Sequence, residues 1–260
     1  MLRLSLGRDE AMRKTWGIGL LLVALNASSA EPTPKPIHFH AQARVALDVH
    51  GVPQRVDVDP KLPALVRDAI AQRMAQWRFE PARVGDQPRA GATTVFMDAC
   101  AVPLENGDMR LALDYGWNGP GYADGRYFPQ PPLYPPNAAR GAYEGDFRVV
   151  VQVAADGRAS IETIEAREGQ LSRFEQALRT WVATLRYVPE EIDGVAVATR
   201  LAIPVNFSMS DSLSAREYER EQREARQRSP ECRAAMGEEA DAAPQRPVVL
   251  DSPFRPVTTG

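Results

Sequence analysis

Histidine and cysteine are scarce in this chain of 260 residues: three of the first, His38, His40 and His50, and two of the second, Cys100 and Cys232. No cysteine stands near a histidine. His38 and His40 alternate onto one face of an extended segment and would hold a metal only with a third ligand; without one they are two rings on an edge strand, and no metal site is expected. Catalytic motifs are missing as well. There is no Gly-x-Ser-x-Gly elbow, no phosphate-cradling glycine loop and no His-Glu-x-x-His helix, so the sequence points to neither an enzyme nor a cofactor. A basic excess is also absent. Lys+Arg 31 against Asp+Glu 34 argues against nucleic acid as the main partner, since a phosphate-binding surface is basic. Nor is the apolar run Trp16 to Leu25 long: about ten residues rise about 15 Å as a helix, against roughly 30 Å of hydrocarbon.

That run lies between Met12-Arg13-Lys14 and Asn26-Ala27-Ser28-Ser29-Ala30, the basic region and small-residue cleavage site of an export signal. The expected mature chain begins near Glu31; an uncleaved inner-membrane anchor is the alternative. What remains, in a chain 44% hydrophobic and 25% charged, suffices for one or two packed domains. The 22 prolines gather near the start, at Pro120 to Pro136 and after Pro230, marking linkers and tail.

The most informative stretch runs from Tyr134 to Phe207. Phe147 to Val153 alternates, Asp156-Gly157 turns, and Ala159 to Ile164 continues as a second strand, a β-hairpin. Phe174, Ala177, Leu178, Trp181 and Leu185 then share one helical stripe, with Ser172 and Glu175 at capping-box spacing. Arg186-Tyr187-Val188-Pro189 stops the helix, Asp193-Gly194 turns, and Val195 to Phe207 runs as a last strand. The order is β-β-α-β. Tyr134-Pro135, Glu144-Gly145, Asp156-Gly157, the helix entered at Phe174-Glu175, Leu185 to Pro189 and Ile203-Pro204-Val205-Asn206-Phe207 together resemble the C-terminal domain of the TonB family. Members of that family bind outer-membrane receptors and transmit inner-membrane energy to them. The family's transducers keep an amino-terminal membrane helix and a long Pro-rich spacer; here the spacer is Glu31 to Pro36, reaching about 20 Å.

An earlier stretch repeats the pattern. Ala43 to Val49 alternates, His50-Gly51 turns, and Val52 to Val58 alternates again. Leu62, Leu65, Val66, Ala69, Ile70 and Met74 recur at helical spacing behind Pro63, Trp77-Arg78-Phe79-Glu80-Pro81 ends the helix, and Ala92 to Ala99 is the last strand. Aligning Gly51 with Gly157 and Trp77 with Leu185 gives offsets of 106 and 108, a tandem duplication of a small domain. The fold expected is α+β: two TonB-C-like domains, each a small antiparallel sheet with one helix packed on it.

Between them, Met109, Leu111, Leu113 and Tyr115 alternate, but Gly116 to Tyr122 reads as a Gly/Pro/aromatic loop that packs against a neighbouring domain. After Met209, Arg216 to Arg228 alternates charge as a solvated helix, and Ala243 to Gly260 reads as disordered. The expected organisation is a signal peptide at 1–30, a Pro-rich lead at 31–42, domains at 43–103 and 132–209 around a linker at 104–131, a charged helical tail at 210–235 and a disordered tail at 236–260. In an oxidising periplasm Cys100 and Cys232 are expected to pair.

In this fold the last strand can keep an open edge, where a peptide adds as a further strand; the alternative is that the edge is covered, by the other copy or by the tail. In the TonB family the receptor's amino-terminal box adds to the strand matching Val195 to Ile203. The resemblance thus points to Val197, Ala198, Thr199, Arg200, Leu201, Ala202 and Ile203 as the partner-binding edge, with Tyr134, Pro135, Gly145 and Gly157 as family motif. Val197, Thr199, Leu201 and Ile203 should face one way, Ala198, Arg200 and Ala202 the other, with Pro204 limiting pairing at its end. The expected function is capture of a protein or peptide segment, a TonB-dependent receptor among the candidates. A membrane-anchored energy transducer and a non-binding structural module are the alternatives.

Overall fold

A computed structural model describes residues 37–104, 109–209 and 246–259, all within one compact unit. The export signal, Cys232, the charged tail at 210–235 and the start of the last segment lie outside the described residues. Among the described residues, no helix is long and apolar enough to cross a membrane.

The first half opens with a hairpin, β1 (Ile37–Leu47) and β2 (Pro53–Val58). The Asp48 carboxylate closes its turn by accepting from the amides of His50 and Val52 at 2.8 and 2.9 Å. Helix α1 (Ala64–Met74) starts at Pro63, whose fixed φ suits the entry. It buries Ile70 and Met74 and leaves Leu65 in solvent, so the stripe is narrower than the spacing predicts. The short strands β3 (Arg78–Glu80), β4 (Ala82–Val84) and β5 (Gln87–Arg89) lead to the long β6 (Gly91–Pro103), which pairs with all of β1. Then β7 (Met109–Gly119) covers β6 from Thr94 to Pro103. The loop expected at Gly116 to Tyr122 is therefore strand, continued by β8 (Gly121–Tyr122). Its aromatics do pack as expected: Trp117 stacks on Phe96 at 4.4 Å, inside the core of the second half.

The second half repeats the plan. After the one-turn helix α2 (Pro136–Arg140) come the hairpin β9 (Gly145–Val153) and β10 (Ala159–Glu168), a 3-10 turn at Leu171–Arg173 and helix α3 (Glu175–Thr184). The expected capping box at Ser172 and Glu175 does not form. The 3-10 turn displaces the helix start, and no side chain caps it. Phe174, Leu178, Trp181 and Val182 pack on Val149, Val151, Leu201 and Ile203 in one core. Beyond β11 (Tyr187–Val188), the expected continuous strand from Val195 is broken. β12 (Glu190–Ile192) and β13 (Val195–Val197) form a hairpin that joins β6 at Gly91 and Ala92, in the first sheet. Of this stretch, β14 (Thr199–Phe207) alone joins the second sheet, pairing with β9 on the side away from β10. The break at Ala198 lets one stretch of chain serve two sheets.

The two halves also agree in detail. Gly51 and Gly157 both have positive φ, +73° and +78°, and their carbonyls accept from the amides of Phe79 and Tyr187 at 3.0 and 2.8 Å. A Cβ on either would lie 1.7 or 2.1 Å from the facing carbonyl oxygen, which only glycine avoids. Arg78 donates to the carbonyls of Ala75 and Trp77, as Arg186 does to those of Ala183 and Leu185.

The last described residues are not disordered as expected from their proline content. β15 (Val248–Val249) pairs with β14 and β16 (Arg255–Thr258) with β3. Between them Phe254, 1% exposed, enters the core of the first half. The apolar residues of this segment find partners in both halves, which outweighs the loop-forming composition.

Candidate functional site

The edge expected to take a partner is occupied, and by this chain. Arg200 accepts at its carbonyl from the Leu250 amide at 2.9 Å, and its own amide donates to Asp251 Oδ1 at 2.6 Å. Leu201 stands opposite Val249 and Ala202 opposite Val248. In an antiparallel ladder, successive residues turn their backbone groups to opposite neighbours. With Arg200 turned outward, Ala202 and Pro204 also face the outer edge, while Thr199, Leu201 and Ile203 face β9. Pro204 brings no N–H to the outer row, and the added strand pairs no further along β14 than Ala202.

The seven residues predicted for this edge do not all reach it. Leu201 and Ile203 point into the core, and Arg200 lies on the other face, where it meets Asp251 at 2.8 Å and Glu162 at 3.4 Å. Thr199 is fully buried and donates to Glu190 Oε2 at 3.1 Å. Val197 belongs to β13 opposite Glu190, and Ala198 is the crossing between the strands. The motif residues are framework. Tyr134 packs edge-on against Phe174 and Phe207 and donates from its hydroxyl to the Tyr143 carbonyl at 2.6 Å. Pro135 caps α2, Gly145 opens β9 against Phe147, and Gly157 holds the turn. Cys100 is buried beside Val102 and Ala112; its expected partner Cys232 lies outside the described residues.

Two side-chain clusters, neither visible in the sequence, hold the added strand at its ends. At one end Asp98, 2% exposed, accepts from Arg246 and from Tyr127 at 3.1 Å, and pairs with His40 Nδ1 at 2.8 Å. His40 stacks on Tyr127 at 4.2 Å, which gives that histidine a structural role. At the other end Glu190, wholly buried, accepts from the hydroxyls of Thr93 at 2.6 Å, Ser252 at 2.7 Å and Thr199. Asn118 donates to Ser252 Oγ and to the Phe254 carbonyl, both at 3.1 Å. Burial pushes the Glu190 carboxyl above its ordinary value, with the three hydroxyl donors opposing the shift. No group of three or more His, Cys, Asp or Glu side chains that could hold a metal occurs among the described residues.

A groove of about 1120 Å³ runs between the segment Pro129 to Pro136 and α3, floored by Ala177, Trp181 and Leu185. Trp181 ties α3 to that segment, its indole donating to the Gln130 carbonyl at 2.6 Å.

These features define a small α+β domain, with one helix across an antiparallel sheet whose last strand takes a further strand at its edge. Residues 130–209 match the family described as the Gram-negative bacterial TonB protein C-terminal, a domain of non-enzymatic transducers that typically binds TonB-dependent outer-membrane receptors. The match covers the second half only, so the tandem pair expected from the sequence is matched in one of its members. No curated protein matches the chain.

Proposed function

We propose that the domain at residues 130–209 works in the Gram-negative periplasm, after export and signal cleavage, and captures a segment of a TonB-dependent outer-membrane receptor by strand addition to β14. The observation that carries this reading is the pairing of β15 at Arg200 to Ala202. The outer backbone groups of β14 accept an antiparallel strand, and main-chain hydrogen bonds supply affinity in that mode of recognition. The first half is read as a diverged copy, supported by the matching strand orders β2-β1-β6-β7 and β10-β9-β14-β15. Its corresponding edge is covered by β7 along Thr94 to Pro103, which leaves strand capture to the second half.

The test is capture of detergent-solubilised receptor by the full chain and by Ala202→Pro, which removes an outward amide while the ladder to β9 stays intact. The variant should lose roughly tenfold or more in affinity. Undiminished capture by Ala202→Pro would place the receptor elsewhere on the molecule.

A further inference from the structure

The segment Arg246 to Ser252 sits in the proposed partner's place, and its chemistry is specific. Its backbone covers the outer row of β14 from Arg200 to Ala202. Val249 packs on the core of the second half and against Gly119, where a Cβ would lie 2.7 Å from a Val249 methyl. Two residues on, Asp251 pairs with Arg200 through both carboxylate oxygens. Three residues before Val249, Arg246 reaches the buried Asp98. Pro247 is buried and Ser252 donates to Glu190, while Val248 and Leu250, 56% and 37% exposed, face solvent.

β15 adds two ladder pairs, against the ten that join β7 to β6, so the segment is held mainly by its side chains, Arg246 on Asp98 and Asp251 on Arg200. Phe254 and β16 anchor the chain on the first half independently of β15. Release of residues 246–251 would give up two ladder pairs and the ion pairs to Asp98 and Arg200, while Phe254 and β16 keep their own partners in the first half.

We propose that this segment is a built-in occupant of the β14 edge, a stand-in for the partner strand that must be displaced before a partner binds. The strand the edge takes is then an extended peptide with a basic residue, an apolar β-branched residue three positions later and an acid two beyond that. This rests on the strand-addition reading above, which names the edge but not what competes for it.

The probe is a labelled synthetic peptide with the sequence of residues 246–252, added to the full chain and to the full chain carrying Asp251→Lys, which sets like charges against Arg200. The variant should bind the peptide about tenfold more tightly than the wild type, and a peptide carrying the same Asp-to-Lys change should bind both about tenfold more weakly. Equal affinity of the two chains, or indifference to the peptide's acid, overturns the proposal. A second measurement needs no variant: the Leu250 amide should exchange with deuterium roughly 100-fold faster than the amides of β9 and faster still with receptor present. Protection equal to that of β9 overturns the proposal. Receptor binding that leaves Leu250 exchange unchanged also overturns it, while leaving receptor capture itself intact. Displacement by the peptide in a chain that captures no receptor would have the opposite meaning: self-occupancy stands and the receptor reading falls.

Discussion

Gly157 and Gly194 share a φ of +78°, but only Gly157 faces a carbonyl oxygen where its Cβ would be; around Gly194 nothing lies within 4 Å. Alanine at 194 therefore meets only the left-handed backbone penalty, about 1 kcal/mol. At 157 the collision with Tyr187 adds to it, for a total of about 3 kcal/mol or more. Urea denaturation of the two variants checks this, and equal losses would show that the turn relaxes. Glu190 makes a pH-dependent contribution. Because burial raises its folded-state value, the folded chain keeps this proton after the unfolded chain has released it. The stability involved is full below about pH 4.3 and falls as pH rises through the folded value. Glu190→Gln, which has no proton to lose, should show a smaller drop in urea midpoint between pH 4 and pH 8 than the wild type; identical drops would mean that Glu190 does not titrate in this range.

Elements with many repeats of their own period were legible in the sequence. The alternation of Phe147 to Val153 and the stripe from Phe174 to Leu185 put β9 and α3 in place, and the same argument found β1 and β2. Elements decided by distant partners were not. Val195 to Phe207 alternates without interruption, so nothing local marks Ala198 as the point where the chain passes from the sheet of β6 to that of β9. Gly116 and Gly119 read as punctuation but lie inside β7, where a missing side chain lets neighbours approach. The strand β15 has two residues, too few to show any period. The resemblance pointed to this edge, and the tail was one of the covers weighed for it, but the residues that hold the tail there were not legible, because Arg246–Asp98 and Ser252–Glu190 join residues 148 and 62 positions apart.

At the scale of the molecule, one segment ties the halves together through β15, Phe254 and β16. A second tie is proposed between Cys100 and Cys232, enclosing about 130 residues and worth roughly 4 to 5 kcal/mol in the chain-entropy account. Alkylation of the denatured chain should add two groups after reduction and none before it; two groups under both conditions would show free thiols. The position of the closing segment also orders events in time. β16 pairs with residues about 175 positions earlier (255 − 80 = 175), and 41 positions separate Phe207 from Val248 (248 − 207 = 41). In a chain exported as proposed, Phe207 crosses the membrane before Val248 does, so a molecule still crossing would meet a foreign strand with β14 bare, and would be more receptive to it than it is once complete.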